Sequence, residues 1–197
     1  DLKVNHDDEF FIEGQLGTYY IIFNNNSDLL PSKVSEDMTP EENILANQEI
    51  RLALSLLIDR NYIVKEIGQA GQLPASSFVA MGITNADGSE FYKTAGDSDT
   101  YDGYFNTAAD AYAANCEKAV EILSKYFKYD KKTEKFTNFA TFTYLFNTST
   151  GHQAIGEYLQ SCFAEYGITI TLESQEWGTF LNTRKDGDYT LARNGWL

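Results

Sequence analysis

Cysteine, histidine, proline, methionine and tryptophan are all scarce in this 197-residue chain: two Cys, two His, three Pro, two Met and two Trp. Without a CxxC or an HExxH, and with only two imidazoles, a zinc site lacks its ligands, so no metal centre and no cofactor is expected. Cys116 and Cys162 each fall in an apolar helical pattern and read as buried small hydrophobes; a bond between their helices is compatible with the sequence. Positive charge is short as well. Lys and Arg total 15 against 29 Asp and Glu, a net charge of −14. A surface of that sign repels phosphate backbones and anionic bilayers, which argues against nucleic acid as a partner. No apolar run reaches membrane-spanning length and no signal peptide is visible, so this segment is not expected to insert into a membrane. The chain opens on Asp1 rather than Met and stops at Leu197 just after an expected strand, which reads as continuation at both ends.

Aromatic residues, by contrast, are plentiful. Tyr and Phe number 13 each and hydrophobic residues make up 43%, enough for a folded core within one domain. Residues 1–16 are polar, an approach segment. Thr18 to Asn25 (TYYIIFNN) reads as a strand, followed by an acidic loop over 26–43. Apolar spacing predicts a helix from Asn47 to Ile67 with a break at Asp59-Arg60-Asn61, and a second from Ala108 to Phe127. Between them, 71–106 reads as loop. Its Asp97-Ser98-Asp99 and Asp102-Gly103 miss the calcium-loop spacing, since Tyr101 takes the third ligand position and no Glu closes the loop. A strand over Phe139–Phe146, a helix over 149–166 and a strand over 168–173 form a βαβ unit, which makes the two strands parallel neighbours. A short helix from Trp177 to Lys185 and a strand from Tyr189 to Trp196 complete one α/β domain with a mixed sheet.

Chemistry concentrates near the C-terminal end, where Trp177, Arg184, Arg193, Asn194, Gly195 and Trp196 cluster among turn residues and a short strand. Large aromatics and Arg dominate binding energy at recognition sites. Arg193 sits on an otherwise apolar strand, where an unpartnered guanidinium is costly, so it calls for a partner in the protein or in a ligand. Arg184 has the plainer alternative of a solvated charge. A tryptophan is ordinarily core, yet Trp196 beside Gly195 at a strand end fits a cleft wall. Gly195 removes a side chain where another strand could add by main-chain hydrogen bonds. His152 falls in the first turn of its helix, where free N–H groups attract a carboxylate; an ordinary exposed histidine is the alternative. No Ser/His/Asp or Cys/His constellation supports a hydrolase, although acidic residues such as Glu176 leave a carboxylate-based one conceivable.

A series of motifs in order along the chain resembles one family. They are Leu16-Gly17-Thr18-Tyr19-Tyr20 with Phe23-Asn24, Ile50-Arg51-Leu52-Ala53-Leu54-Ser55 with Ile58-Asp59-Arg60, Gly71, and Pro74-Ala75-Ser76-Ser77-Phe78. Asn147-Thr148-Ser149 with His152 follows, then Gly167-Ile168, Gln175-Glu176-Trp177, Thr179-Phe180-Leu181, Arg184, Ala192-Arg193 and Gly195-Trp196. The set resembles the oligopeptide- and dipeptide-binding proteins of ABC transporters, the large extracytoplasmic solute-binding class. The resemblance implies a two-lobed, periplasmic-binding-protein-like fold of the type II peptide-binding class. Residues 17–197 would form most of one α/β lobe, a mixed sheet flanked by helices, and 1–16 would arrive from the missing lobe. It implies a non-enzymatic protein, in the periplasm or on the cell surface as a lipoprotein, that captures extended peptides between its lobes and delivers them to ABC permease subunits.

By the same resemblance, Gly195, Trp196 and Leu197 pair with the peptide backbone, while Trp177 and Trp196 line side-chain pockets. Arg193 and His152 meet the peptide carboxylate with Arg184 nearby, and Tyr19 and Tyr20 lie by the lobe junction. The chain departs from the family pattern in three places. It ends before the acidic residue that holds the peptide's amino group, Val79-Ala80-Met81 replaces a Pro-rich turn, and Asn194 stands where close relatives have a small residue, narrowing the pocket or adding a hydrogen bond. A receptor for one peptide pheromone, or for a non-peptide solute, on the same fold is the alternative.

Overall fold

The computed structural model describes residues 2–6, 8–26, 43–96 and 98–197. The acidic stretch 26–43, apart from Asn26 and Asn43, and Asp97 of the rejected calcium motif lie outside the described residues. After one short helical segment, α1 (Leu2–Asn5), the described residues up to β1 (Thr18–Phe23) have no regular structure.

The helix expected from Asn47 to Ile67 is three pieces. In α2 (Gln48–Leu56) the Asn47 side chain caps the N–H groups of Glu49 and Ile50, and Ile50, Ala53, Leu54 and Leu57 form one buried stripe. The break comes where expected. Asp59 caps a single turn, α3 (Arg60–Tyr62), and a π-helical stretch over Ile63–Gly68 follows. Arg60 Nη1 donates to the carbonyls of Ser55 and Ile58, and the guanidinium lies 4.6 Å from the Phe105 ring centre. Burial lowers the Arg60 pKa to about 10, which leaves it charged at neutral pH.

The second predicted helix is shorter than its periodicity implied: α4 covers Tyr112–Leu123 after one 3-10 turn. Past it, the chain turns into a two-stranded hairpin, β2 (Tyr129–Asp130) and β3 (Lys135–Phe136), which periodicity did not reveal. Two-residue strands are too short to alternate visibly. The hairpin carries Phe136 into an aromatic cluster with Phe127 and Phe139.

The βαβ unit is present as expected. β4 (Phe142–Asn147) and β5 (Ile170–Gln175) pair in parallel along their full length, from Phe142 opposite Ile170 to Asn147 opposite Gln175. Between them α5 (Thr150–Glu165) packs so closely that a Cβ on Gly156 would lie 3.1 Å from Leu172. After α6 (Trp177–Asp186) the chain returns as β6 (Leu191–Trp196) on the other side of β4, giving the order β1-β6-β4-β5 with β1 antiparallel to β6.

Strand alternation sends residues to two faces. Ile21, Tyr144, Phe146, Ile170 and Leu191 join the large core with Leu159 and Phe163 of α5 and the buried stripes of α2 and α4. Ile22, Leu145 and Ala192 pack with Phe180 and Leu181 of α6 on the opposite face. Both cysteines are free thiols. Cys162 is buried, its sulfur donating to the Leu57 carbonyl at 3.0 Å, and Cys116 is half-buried against the same core.

Candidate functional site

The three parallel-running strands β4, β5 and β6 end at one edge, and α5 and α6 begin there on opposite faces of the sheet. The βαβ crossover moves one way from β4 to β5, and the next connection steps back over β4 to β6. Ligands of open α/β sheets bind where strand order reverses in this way, outside the carboxyl ends of the strands. Neither Ser149 before α5 nor Glu176 before α6 caps its helix with a side-chain hydrogen bond, so both helices point uncapped N–H groups toward this edge.

β4 and β6 part company before they end. Their pairing stops after Tyr144–Leu191 and Leu145–Ala192, although β6 continues to Trp196. The bond from Asn24 N–H to the Thr190 carbonyl sets the antiparallel alternation between β1 and β6. By that alternation, the main-chain groups of Asn194 and Trp196 point toward β1. Those of Arg193 and Gly195 point the other way, along the side that β4 has left. The Arg193 carbonyl and the main-chain groups of Gly195 therefore form a strip facing a side where β6 has no paired strand.

Four of the residues anticipated from the sequence converge beside this strip. The Arg193 guanidinium lies 5.5 Å from the ring centre of Tyr19 and 5.9 Å from that of Trp177. Tyr19 stacks on His152 at 5.6 Å and shares a 2.9 Å hydroxyl hydrogen bond with buried Tyr144. Arg193 Nε is buried and has no hydrogen-bond partner, and no carboxylate among the described residues forms an ion pair with this arginine. Burial lowers the His152 pKa and the Arg193 charge lowers it further, so the imidazole is neutral at pH 7. Burial raises the Tyr19 and Tyr144 hydroxyls, against the lowering influence of Arg193, and both stay protonated. Among the described residues the site thus brings together one fixed positive charge and flat apolar walls, with no carboxylate paired to the arginine.

The other anticipated residues fall elsewhere. Arg184, on the α6 face, donates to Asn194 Oδ1 at 2.7 Å and lies over the Phe180 ring at 5.0 Å. Tyr20 meets Phe78 edge to face at 4.9 Å, so the loop that departs from the family pattern still docks on β1. Trp196 and Leu197 are 69% and 92% exposed, the tip of the strip. A Cβ on Gly195 would meet nothing closer than 3.7 Å, so the chain's own packing does not require glycine there.

Three further residues were not anticipated as part of the site, although Asn147 and Gln175 fall in motifs noted along the sequence. Tyr144 positions Tyr19 from the middle of β4, where alternation marks it only as core. Asn147 Oδ1 and Gln175 Oε1, on the paired last residues of β4 and β5, are buried acceptors without a donor. Their signal was present in the polar ends of two otherwise apolar strands, but which polar ends matter depends on strand pairing.

An open edge at a strand-order reversal, with an arginine held between aromatic rings, is where a mixed α/β sheet of this kind binds ligands. The chain belongs to the bacterial extracellular solute-binding proteins, family 5, whose middle-region profile matches residues 1–197. It is 28% identical to the periplasmic oligopeptide-binding protein OppA of Salmonella typhimurium over 99% of this chain and 30% of that protein. It is 24% identical to the dipeptide-binding protein DppE of Bacillus subtilis over 98% of this chain and 34% of that one. The crystal structure of Haemophilus influenzae OppA in complex with RPPGFSPFR superposes with a TM-score of 0.70 at 27% identity, covering 99% of this chain and 32% of that one. The chain spans about a third of the length of these relatives. Those relatives are binding proteins by name.

Proposed function

We propose that the chain is a peptide-binding lobe of the substrate-binding component of an ABC importer, one that captures extended oligopeptides and does not transform them. In this reading residues 17–197 form the lobe, 1–16 lead in from a second one, and the whole protein works outside the cytoplasm, handing peptide to permease subunits. The single observation that carries it is Arg193: a buried, unpaired Nε beside a main-chain strip that β4 does not pair suits the carboxylate of a ligand whose backbone adds to β6. His152 and the α5 N-terminus lie on the same side as that carboxylate. Trp177, Trp196 and Tyr19 supply flat walls, and Gly195 with Leu197 the approach for backbone. Arg184, Asn194 and Tyr20 line the opposite face.

An apolar rim supports a second lobe. Phe11, Leu16 and Leu73 are 81%, 59% and 66% exposed, and Ile12 and Leu16 pack over Gly71 and Gly82 of the facing loop. Such a band is costly in water unless another body covers it. Closure of two lobes on a ligand shifts an open–closed equilibrium toward the form a transporter reads.

Calorimetry with tri- to pentapeptides on the full-length protein, stripped of ligand, tests the reading. Micromolar or tighter binding is expected, with residues 1–197 alone at least about a thousandfold weaker because one wall and its contacts are gone. Tight binding by the chain alone would overturn the two-lobe mechanism. One preferred sequence with no affinity for others would replace nutrient capture with a dedicated receptor.

The low pKa of His152 gives a further expectation. Its folded value lies below the ordinary ~6.5, so the unliganded protein loses stability as pH falls through that folded value. A ligand carboxylate offsets the Arg193 charge and raises the His152 pKa, so binding takes up protons. Peptide affinity should therefore rise severalfold between about pH 8 and about pH 6, and His152→Gln should flatten the trend. Calorimetry in buffers of different ionisation enthalpy reads the proton uptake directly.

A further inference from the structure

The strip on β6 that would take a ligand backbone is already occupied by the protein's own side chains. Gly195 N–H, which points away from β1, donates to Asn194 Oδ1 at 2.9 Å. The same oxygen accepts from Arg184 Nη1 at 2.7 Å. Arg184 Nη1 also reaches the carbonyl of Arg193 at 3.4 Å, the next outward-pointing group on the strip. Two side chains thus satisfy one main-chain donor and one main-chain acceptor on the side that β4 vacates, in the manner of a borrowed strand.

We propose that Arg184 and Asn194 form a latch that masks the backbone-recognition edge, and that a ligand must displace Asn194 from Gly195 N–H before it can pair there. This rests on the reading of β6 as the ligand-pairing strand. The latch is a property of this sequence, because alanine or glycine at 194 could not make it. Asn194 is half-buried, and besides Gly195 N–H its Oδ1 is held by the Arg184 bond from α6.

The physical consequence is a selective loss of affinity. Ligands that depend on main-chain pairing at Gly195 exchange one hydrogen bond for another and gain little there, while those that depend on the Arg193 carboxylate site and the aromatic walls are unaffected. The latch therefore tilts the site toward ligands recognised by their carboxylate and side chains, and against those recognised by backbone alone. It also keeps the strip from pairing with stray strands, a recurring hazard of open sheet edges.

Two measurements on the full-length protein decide the matter. The first is hydrogen exchange at the Gly195 amide without peptide, in wild type and in Asn194→Ala. Exchange should be at least about threefold faster in the variant; equal rates would overturn the latch whether or not peptides bind. The second is tripeptide affinity by calorimetry, where Asn194→Ala should bind about fivefold more tightly than wild type. Weaker binding by the variant would make Asn194 a ligand contact and end the proposal. Absence of peptide binding in both proteins would instead remove the peptide reading and leave the exchange result to judge the latch.

Discussion

Replacing Arg193 with methionine in the full-length protein should weaken peptide binding about a hundredfold and leave the melting temperature unchanged or slightly higher. The two halves of that expectation come from the same fact. Within the chain, Arg193 Nε is buried and unpaired, and the guanidinium lies over the rings of Tyr19 and Trp177 and interacts with the Tyr19 hydroxyl, with no carboxylate among the described residues in an ion pair with it. Removing it breaks no ion pair and abolishes a desolvated charge, a change that is often neutral or stabilising when a side chain of similar length fills the space. Binding is the opposite case. Charge-assisted hydrogen bonds to a carboxylate are worth roughly 1.5–3 kcal/mol, or about ten- to a hundred-and-fiftyfold in affinity. A cycle with C-terminally amidated peptide isolates the contact: wild type should lose a similar factor on amidation, and Arg193→Met should be indifferent. Full discrimination by the variant would move the carboxylate away from Arg193.

The arrangement around Arg193 also explains why the neighbouring imidazole is neutral rather than a second fixed charge. Two cations side by side without a ligand would repel each other, so burial and the guanidinium together hold His152 unprotonated. Under the proposed function a ligand carboxylate would reverse that balance, and the free site would take up one negative charge and, with it, a proton.

Much of this was legible along the chain because the informative elements are long and periodic. The α2 stripe, the β4–α5–β5 unit and its parallel pairing each follow from local spacing and connection length. What was not legible depends on contacts between distant residues. The Tyr19–Tyr144 bond joins positions 125 apart in sequence, and the hairpin of β2 and β3 is too short to impose a period. The division of Arg193 and Arg184 between two faces depends on the register of β6 against β1 and the placement of α6 over Leu145 and Ala192. From sequence alone both arginines looked like candidates for one ligand group. In the fold one of them points into the aromatic cluster and the other braces the strand.

Gly167→Ala should destabilise the fold of this segment by about 3 kcal/mol, read as a lower denaturant midpoint. Gly167 follows α5 with φ +75°, and the bonds from Gly167 N–H to Ala164 and from Ile168 N–H to Phe163 close the helix in a left-handed cap. The same geometry recurs after α6, where Gly187 has φ +79° and its N–H and that of Asp188 bond to Arg184 and Thr183. The two sites differ in what surrounds them. A Cβ at 187 would come no nearer than 3.9 Å to Asn24, whereas a Cβ at 167 would run into the Phe136 carbonyl oxygen and lie 3.0 Å from Lys135 Cβ. Phe136 N–H also donates to the Tyr166 carbonyl at 2.8 Å, so the clash would push β3 off the end of α5 and loosen the cluster of Phe127, Phe136 and Phe139. Gly187→Ala should therefore cost only the backbone strain, about 1 kcal/mol. The difference between the two variants measures the packing of hairpin against helix, and equal losses would show that β3 yields without cost.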